Sequence, residues 1–427
     1  MVVRIQQEGE PRFQMLETIR AYARALLEGS AEAEAVHRRF AAYYVKLAEE
    51  AEPAQYRADS MGWLARLHRE YANLQEVLEW LESNREGRDG LRLAAALGWY
   101  WRRRMLFHEG LEWLDTFLAK ADGIRMPERK ADAIVMIAEM SYWFHVYSVD
   151  SMTKRLQGCA ALCREAGYRR GEAMSLAWLG VLLWLPGNRD RMERAAALWE
   201  ESVGIARETE EPWVIALCLY FASIGRPRND VDAETLRRRM EEAIALSRKA
   251  GDLFGMGFAI HGMGDLEHYQ GNYAAAIPWF LESLGIAREA DDRMLIMRTL
   301  VEMAVAEERC GGYTPATEHL REALLLALKD GAKSWAVVCV EQFGKVAKAT
   351  GNLRRAARLI SAARRLMAAL PDAAGAPSDD ARTVLEELFG SDGAGLVPDW
   401  SQGQAMTEDQ AAAYALSGAD GEPVAVR

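Results

Sequence analysis

His261, Asp265 and His268 follow one another at intervals of four and three positions, which puts two imidazoles and a carboxylate on one face of a helix. Side chains of these types can hold a transition metal. Three ligands strung along one helix over that span rarely converge on one ion, so a polar stripe is the better reading, and Tyr269 extends it. Gly255-Met256-Gly257 and Gly262-Met263-Gly264 superficially suggest a dinucleotide loop. They lie inside a helical pattern and not after a strand, which makes them positions of close helix packing. The sequence contains no His-Glu-x-x-His, no Gly-x-Ser-x-Gly and no EF-hand loop. Cys159 and Cys163 are one helical turn apart, but no further Cys or His completes a zinc set, so both read as small buried residues. Five cysteines, an odd number without paired spacing, fit reduced thiols. The residues point to a chain that is not an enzyme and needs no cofactor.

The elements that carry these residues repeat. Gly271-Asn272-Tyr273, Gly311-Gly312-Tyr313 and Gly351-Asn352-Leu353 recur at one fixed interval, and Gly251-Asp252, Asp291-Asp292 and Gly331 keep the same step. Two turn markers per period with apolar helical segments between them predict stacked helical hairpins, since one hairpin cannot bury its own apolar face. Two turns of helix before the turn glycines come Gly264, Ala304 and Gly344. In the helix after them, again in step, come Phe280, Leu320 and Ile360, flanked by small residues at helical spacing. Small, large, small is a knob between holes. Gly187-Asn188 precedes Gly271 by the same distance as Gly167 precedes Gly251, a little more than two periods. That offset implies two longer repeats with a turn near Gly225-Arg226-Pro227.

In that register the first helix of each pair lines the concave groove. Trp184, His261, Asp265, His268, Tyr269, Arg298, Arg309, Glu341 and Lys345 are then groove residues, joined by Tyr142 and His145. Aromatic and charged side chains with few lysines suit recognition of a protein or peptide. The formal charge of −11 argues against nucleic acid as a direct partner. The basic runs Arg102–Arg104, Arg237–Arg239 and Arg354–Arg358 read as solvated helix faces. No apolar run is long enough to cross a bilayer and the first residues are not a signal peptide, so no membrane partner and a cytoplasmic location are expected. Half the residues are hydrophobic, ample for a continuous core.

The turn pattern resembles the tetratricopeptide repeat, with helices longer than its usual unit of about 34 residues. HEAT repeats share the period but give no reason for Gly-Asn at every mid-repeat turn. At the N-terminus, Val2–Ile5 and Arg12–Leu16 flank a polar segment, which predicts a β-hairpin before the helix from Glu17. Arg12 to Leu26 resembles the end of the winged-helix domain of STAND-type regulatory ATPases, among them large ATP-binding LuxR-type and SARP-type transcriptional regulators. His37–Tyr44, Trp63–Leu67 and Glu70–Leu74 resemble the helical linker that follows, and Trp400–Thr407 resembles the closing helix, with Ala411, Ala412, Tyr414 and Leu416 on its apolar side. No Gly-x-x-x-x-Gly-Lys-Ser/Thr loop occurs, and Val424–Arg427 stands where some members of that family would continue into a helix-turn-helix.

The resemblance implies an all-α, right-handed superhelical solenoid of tetratricopeptide-like hairpins with a short winged-helix remnant. Residues 1–30 would be the remnant, 31–90 a helical linker, 91–371 the repeats and 372–427 capping helices and tail. Its implied role is to bind a protein, peptide or small-molecule inducer for a signalling ATPase, without binding ATP itself. The competing expectation is the arm of a DNA-binding regulator whose DNA reader lies on another segment or polypeptide.

Overall fold

The computed structural model describes residues 2–7, 10–15, 17–144, 147–184, 188–223, 232–369, 385 and 388–417. The expected turns at Gly187 and Gly225-Arg226-Pro227 fall outside them. Strands β1 (Val2–Gln7) and β2 (Glu10–Met15) pair antiparallel, with Val2 opposite Met15. Among the described residues every later element is helical. The first helices are α1 (Glu17–Glu28), α2 (Ala33–Ala51) and, after a 3-10 turn at Glu52–Tyr56, α3 (Ser60–Ser83). Next come α4 (Gly87–Arg103), α5 (Phe107–Lys120), α6 (Pro127–Phe144), α7 (Val149–Ala166), α8 (Arg169–Leu183) and α9 (Arg189–Glu208). The central hairpins are α10 (Pro212–Phe221), α11 (Ala233–Ala250), α12 (Leu253–Tyr269), α13 (Tyr273–Glu289), α14 (Arg293–Arg309) and α15 (Tyr313–Lys329). Helices α16 (Lys333–Ala349) and α17 (Leu353–Ala368) follow, then a 3-10 turn at Gly390–Leu396, α18 (Val397–Ala405) and α19 (Glu408–Leu416). The architecture is an α-solenoid of tetratricopeptide-like hairpins.

Its turns work as the glycine spacing requires. Gly271, Gly311 and Gly351 have φ of 82°, 82° and 81°, a left-handed backbone that costs glycine nothing. Each lets the next amide reach back to the helix end: Asn272 N donates to Glu267 O at 2.9 Å and Gly312 N to Glu307 O at 2.8 Å. At the alternate turns Asp252 and Asp292 accept from Gly255 N and Leu295 N at 3.0 and 3.1 Å, capping α12 and α14.

The knob-and-hole register holds as well. A Cβ placed on Gly264 would lie 2.5 Å from the Phe280 ring, and one on Gly344 would lie 2.7 Å from Ile360 Cγ1. Gly180 does the same for the Trp199 indole, which also donates to Ala177 O at 3.0 Å. These glycines exist because a large side chain from the second helix fills the space of a missing methyl. Gly344→Leu is therefore expected to overpack this crossing and cost about 1–3 kcal/mol, although leucine favours the helix by about 1 kcal/mol. A thermal melt checks it; an unchanged or raised midpoint would count against the register.

The even-numbered helices from α4 to α16 touch one another in order, forming an inner row, with their odd-numbered partners outside. That inner row curls until distant repeats meet. The end of α4 reaches the α13–α14 turn: Arg102 pairs with Asp292 at 3.3 Å, Arg104 with Asp291 at 3.4 Å, and Arg103 donates to Ala290 O. Ser334 Oγ donates to Trp143 O at 3.0 Å, and Trp143 stacks on Trp335. On the facing side Tyr56 stacks on Trp213 with ring centroids 3.7 Å apart. Contacts as remote in sequence as Arg102 with Asp292 close one turn of the superhelix on itself.

This closure corrects the reading of the basic runs. Arg102 and Arg103 are buried, with Arg102 held between Glu139 and Asp292, both at 3.3 Å. Burial works against the Arg102 charge, yet the two carboxylates raise its pKa above the ordinary value. Arg355 is also buried and donates to Tyr414 O, Ala415 O and Ser417 O, satisfying the carbonyl end of α19. In the remaining run Arg237 pairs with Glu267 and Arg239 with Glu200, while Arg238 stays exposed.

Candidate functional site

Because the inner row closes, the expected groove residues divide into two groups. His261, Asp265 and Arg298 are interior. His261 has no exposed surface; its Nδ1 lies 3.0 Å from Thr299 Oγ1 and its Nε2 lies 3.3 Å from Asp265 Oδ1. The other oxygen of Asp265 accepts from Arg298 at 2.9 Å, and Arg298 also donates to the Tyr220 hydroxyl. Burial opposes the Asp265 carboxylate, but His261 and Arg298 outweigh it and hold its pKa at about 2. Burial pushes the His261 pKa below the ordinary histidine value. A guanidinium thus occupies the charge position that a metal would need. His261 is a buttress between α12 and α14, and its assignment to the groove surface is corrected on that ground.

The second group is solvent-facing. Tyr269 is 52% exposed and Arg309 has an exposed side chain; the two occupy equivalent positions in successive repeats. His268 is partly buried against Tyr273, with Glu302 3.9 Å away. Glu341 and Lys345 pair with each other at 2.9 Å on α16. Trp184, at the end of α8, is half-buried against Trp199, which limits it as an anchor for a partner. Tyr142 is 38% exposed, and His145 lies outside the described residues.

Two adjoining cavities lie along the inner side of the described helices. The larger, about 880 Å³, lies between the 3-10 turn, α4, α6, α8 and the start of α10. Its polar walls include Glu49, Glu52, Arg129, Asp132 and Arg170, which are cross-linked: Arg129 bonds Glu49 and Glu52 at 3.3 and 2.5 Å. Burial raises Asp132 to about 6 despite nearby Arg170. The smaller cavity, about 180 Å³, is walled by Tyr142, Trp143, Trp178, Tyr220, Phe254 and Phe258, with Glu139 and Arg298 at its edges. Glu139 lines both, so the two adjoin at that carboxylate. Sequence reasoning found Tyr142 and Arg298 but missed the aromatic wall. A signal was present, since Phe258 and Arg298 share one place in successive repeats.

Among the described residues no three His, Cys, Asp or Glu side chains gather as a metal set, and no helix is long and apolar enough to cross a membrane.

No family model matches the chain. Over 378 residues, 87% of its length, the chain is 26% identical to proteins of Mycobacterium tuberculosis and Mycobacterium bovis, each named "Putative HTH-type transcriptional regulator". It spans 42% of the length of these curated relatives. Among solved structures it is similar to a Rap protein complexed with competence and sporulation factor, with a TM-score of 0.52 and 14% identity. That alignment covers 77% of this chain and 96% of the Rap chain, and supports the fold alone. A STAND protein with a tetratricopeptide repeat sensor from Pyrococcus horikoshii aligns at a TM-score of 0.43, with 14% identity, 70% coverage of this chain and 49% of the other, too distant a fit to argue from.

Proposed function

We propose that this chain is the interaction and sensing arm of a signalling ATPase-type transcriptional regulator, acting in the cytoplasm without catalysis. The observation that carries the reading is the match along 87% of the chain to proteins named as transcriptional regulators. The tetratricopeptide-like solenoid supports it, because stacked hairpins offer long surfaces and no reaction centre. In this reading residues 1–30, with their hairpin and α1, are the winged-helix remnant; residues 31–90 are the linker, 91–371 the sensing repeats and 372–427 the cap. The partner is a protein or peptide held along the exposed ends of the inner helices, through Tyr269, Arg309, Glu341 and Lys345. The net charge of −11 favours such a partner over nucleic acid. A DNA-binding regulator with its reader on another segment is the second reading, favoured by the helix-turn-helix wording of those names.

Cross-linked pull-downs from the host distinguish the working face. Tyr269→Ala with Arg309→Ala should reduce capture of the partner by about 2 kcal/mol, or roughly thirtyfold, because exposed aromatic and Arg side chains are the usual anchors. Glu282→Ala with Arg288→Ala on outer helix α13 should leave capture unchanged. If only the outer pair abolishes it, the convex face is the functional one.

A further inference from the structure

The aromatic cavity is absorbed neither by the repeat packing nor by the partner surface. Its rings form a connected wall: Tyr142 lies 5.9 Å from Trp178, Trp178 5.0 Å from Phe221, Tyr220 5.5 Å from Phe258 and Phe258 4.8 Å from Phe254. Tertiary packing normally fills such a space, and here about 180 Å³ is left open. An apolar cavity of about 150 Å³ takes up benzene, so this one matches a single ring in size.

The charges around it select the occupant further. Arg102 sits over Phe254 at 4.1 Å, and Arg298 lies 5.9 Å from the centroids of both Trp143 and Tyr220. Phe254, Trp143 and Tyr220 thus already have guanidinium partners. Arg298 and Glu139 both line the cavity, so its wall carries balanced charge and favours neither a cation nor an anion. The Trp178 ring lines the cavity, while its Nε1–H is fully enclosed and has no acceptor among the described residues.

We infer that the cavity is a binding site for a small neutral aromatic molecule of about one ring, held by the surrounding aromatic side chains. The inference deepens the proposed sensing role by naming the inducer's chemical class, and it rests on that role only for its biological meaning. Binding is a property of the chain alone, so its failure leaves the partner surface standing, and failure of the pull-down leaves the cavity standing.

The test is isothermal titration of the full 427-residue chain with benzaldehyde and phenol, paired with thermal melts. Tetramethylammonium and benzoate serve as the cationic and anionic comparisons. The two neutral rings should bind and raise the melting midpoint, whereas the ions should do neither. Trp178→Ala opens the ring wall and should weaken binding roughly two- to tenfold. Val181→Phe and Leu217→Phe fill the cavity from two different helices and should abolish binding; two variants guard against one failing to fold. The site is overturned if neither ring binds at millimolar concentration, if tetramethylammonium binds in their place, or if a folded cavity-filling variant binds as wild type does. Equal binding by Trp178→Ala overturns the role of the ring wall.

Discussion

Arg102→Ala is expected to destabilise the protein by about 3–5 kcal/mol and to open the superhelix. Arg102 is buried between Glu139 and Asp292, and among the described residues no other cation lies within ion-pair distance of either. Removing the guanidinium leaves two carboxylates desolvated in one place. The chain relieves them by taking up a proton or by letting water in, and the latter means parting α4 from the α13–α14 turn. Burial already raises the Glu139 pKa, and Arg102 is the main group opposing that rise. Urea unfolding measures the loss, and small-angle scattering of the folded variant should show a larger radius of gyration. Arg104→Ala is the matched comparison, because Arg104 and Asp291 are partly solvated and such pairs contribute about 0–1 kcal/mol. Equal effects from the two substitutions would refute the account of closure.

Phe280→Ala is expected to cost about 3–5 kcal/mol, the usual range for a fully enclosed phenylalanine. Its ring has no exposed surface, occupies the space left by the absent side chain of Gly264, and faces His261 with ring centroids 5.2 Å apart. Truncation would therefore open a void beside the interior His261–Asp265–Arg298 network. The equivalent Leu320 is also fully buried, so Leu320→Ala should lose about 2–5 kcal/mol, and chemical denaturation compares the two. A loss under about 1 kcal/mol at Phe280 would show that the neighbouring hairpins can collapse into the gap.

The local structure was legible because the residues that set it are chemically obliged. Gly271, Gly311 and Gly351 take a backbone that side chains resist, and Gly264 and Gly344 leave room for rings and branched chains, so both series can be read by spacing alone. The global structure was not legible. Whether Arg102 is solvated or enclosed depends on Asp292, which meets it only after the small rotations of many hairpins add up. No single repeat contains that sum. The same blindness placed His261 and Asp265 on a groove surface, when the curling row had enclosed them. It also concealed the aromatic wall, whose rings come from α6, α8, α10 and α12 and share a purpose only once those helices converge.

A stack of hairpins that touches only its neighbours behaves as a soft spring, lengthening in proportion to a pull on its ends. The contacts between α4 and the α13–α14 turn change that response, because they tie together points far apart along the chain. Load applied along the axis is carried first by the buried Arg102 pairs, and the coils between them stay slack. Extension should then begin at a threshold force, as when a clasp gives way, and only afterwards follow the gradual yielding of the repeats. Tension transmitted from a neighbouring domain would be registered as a step.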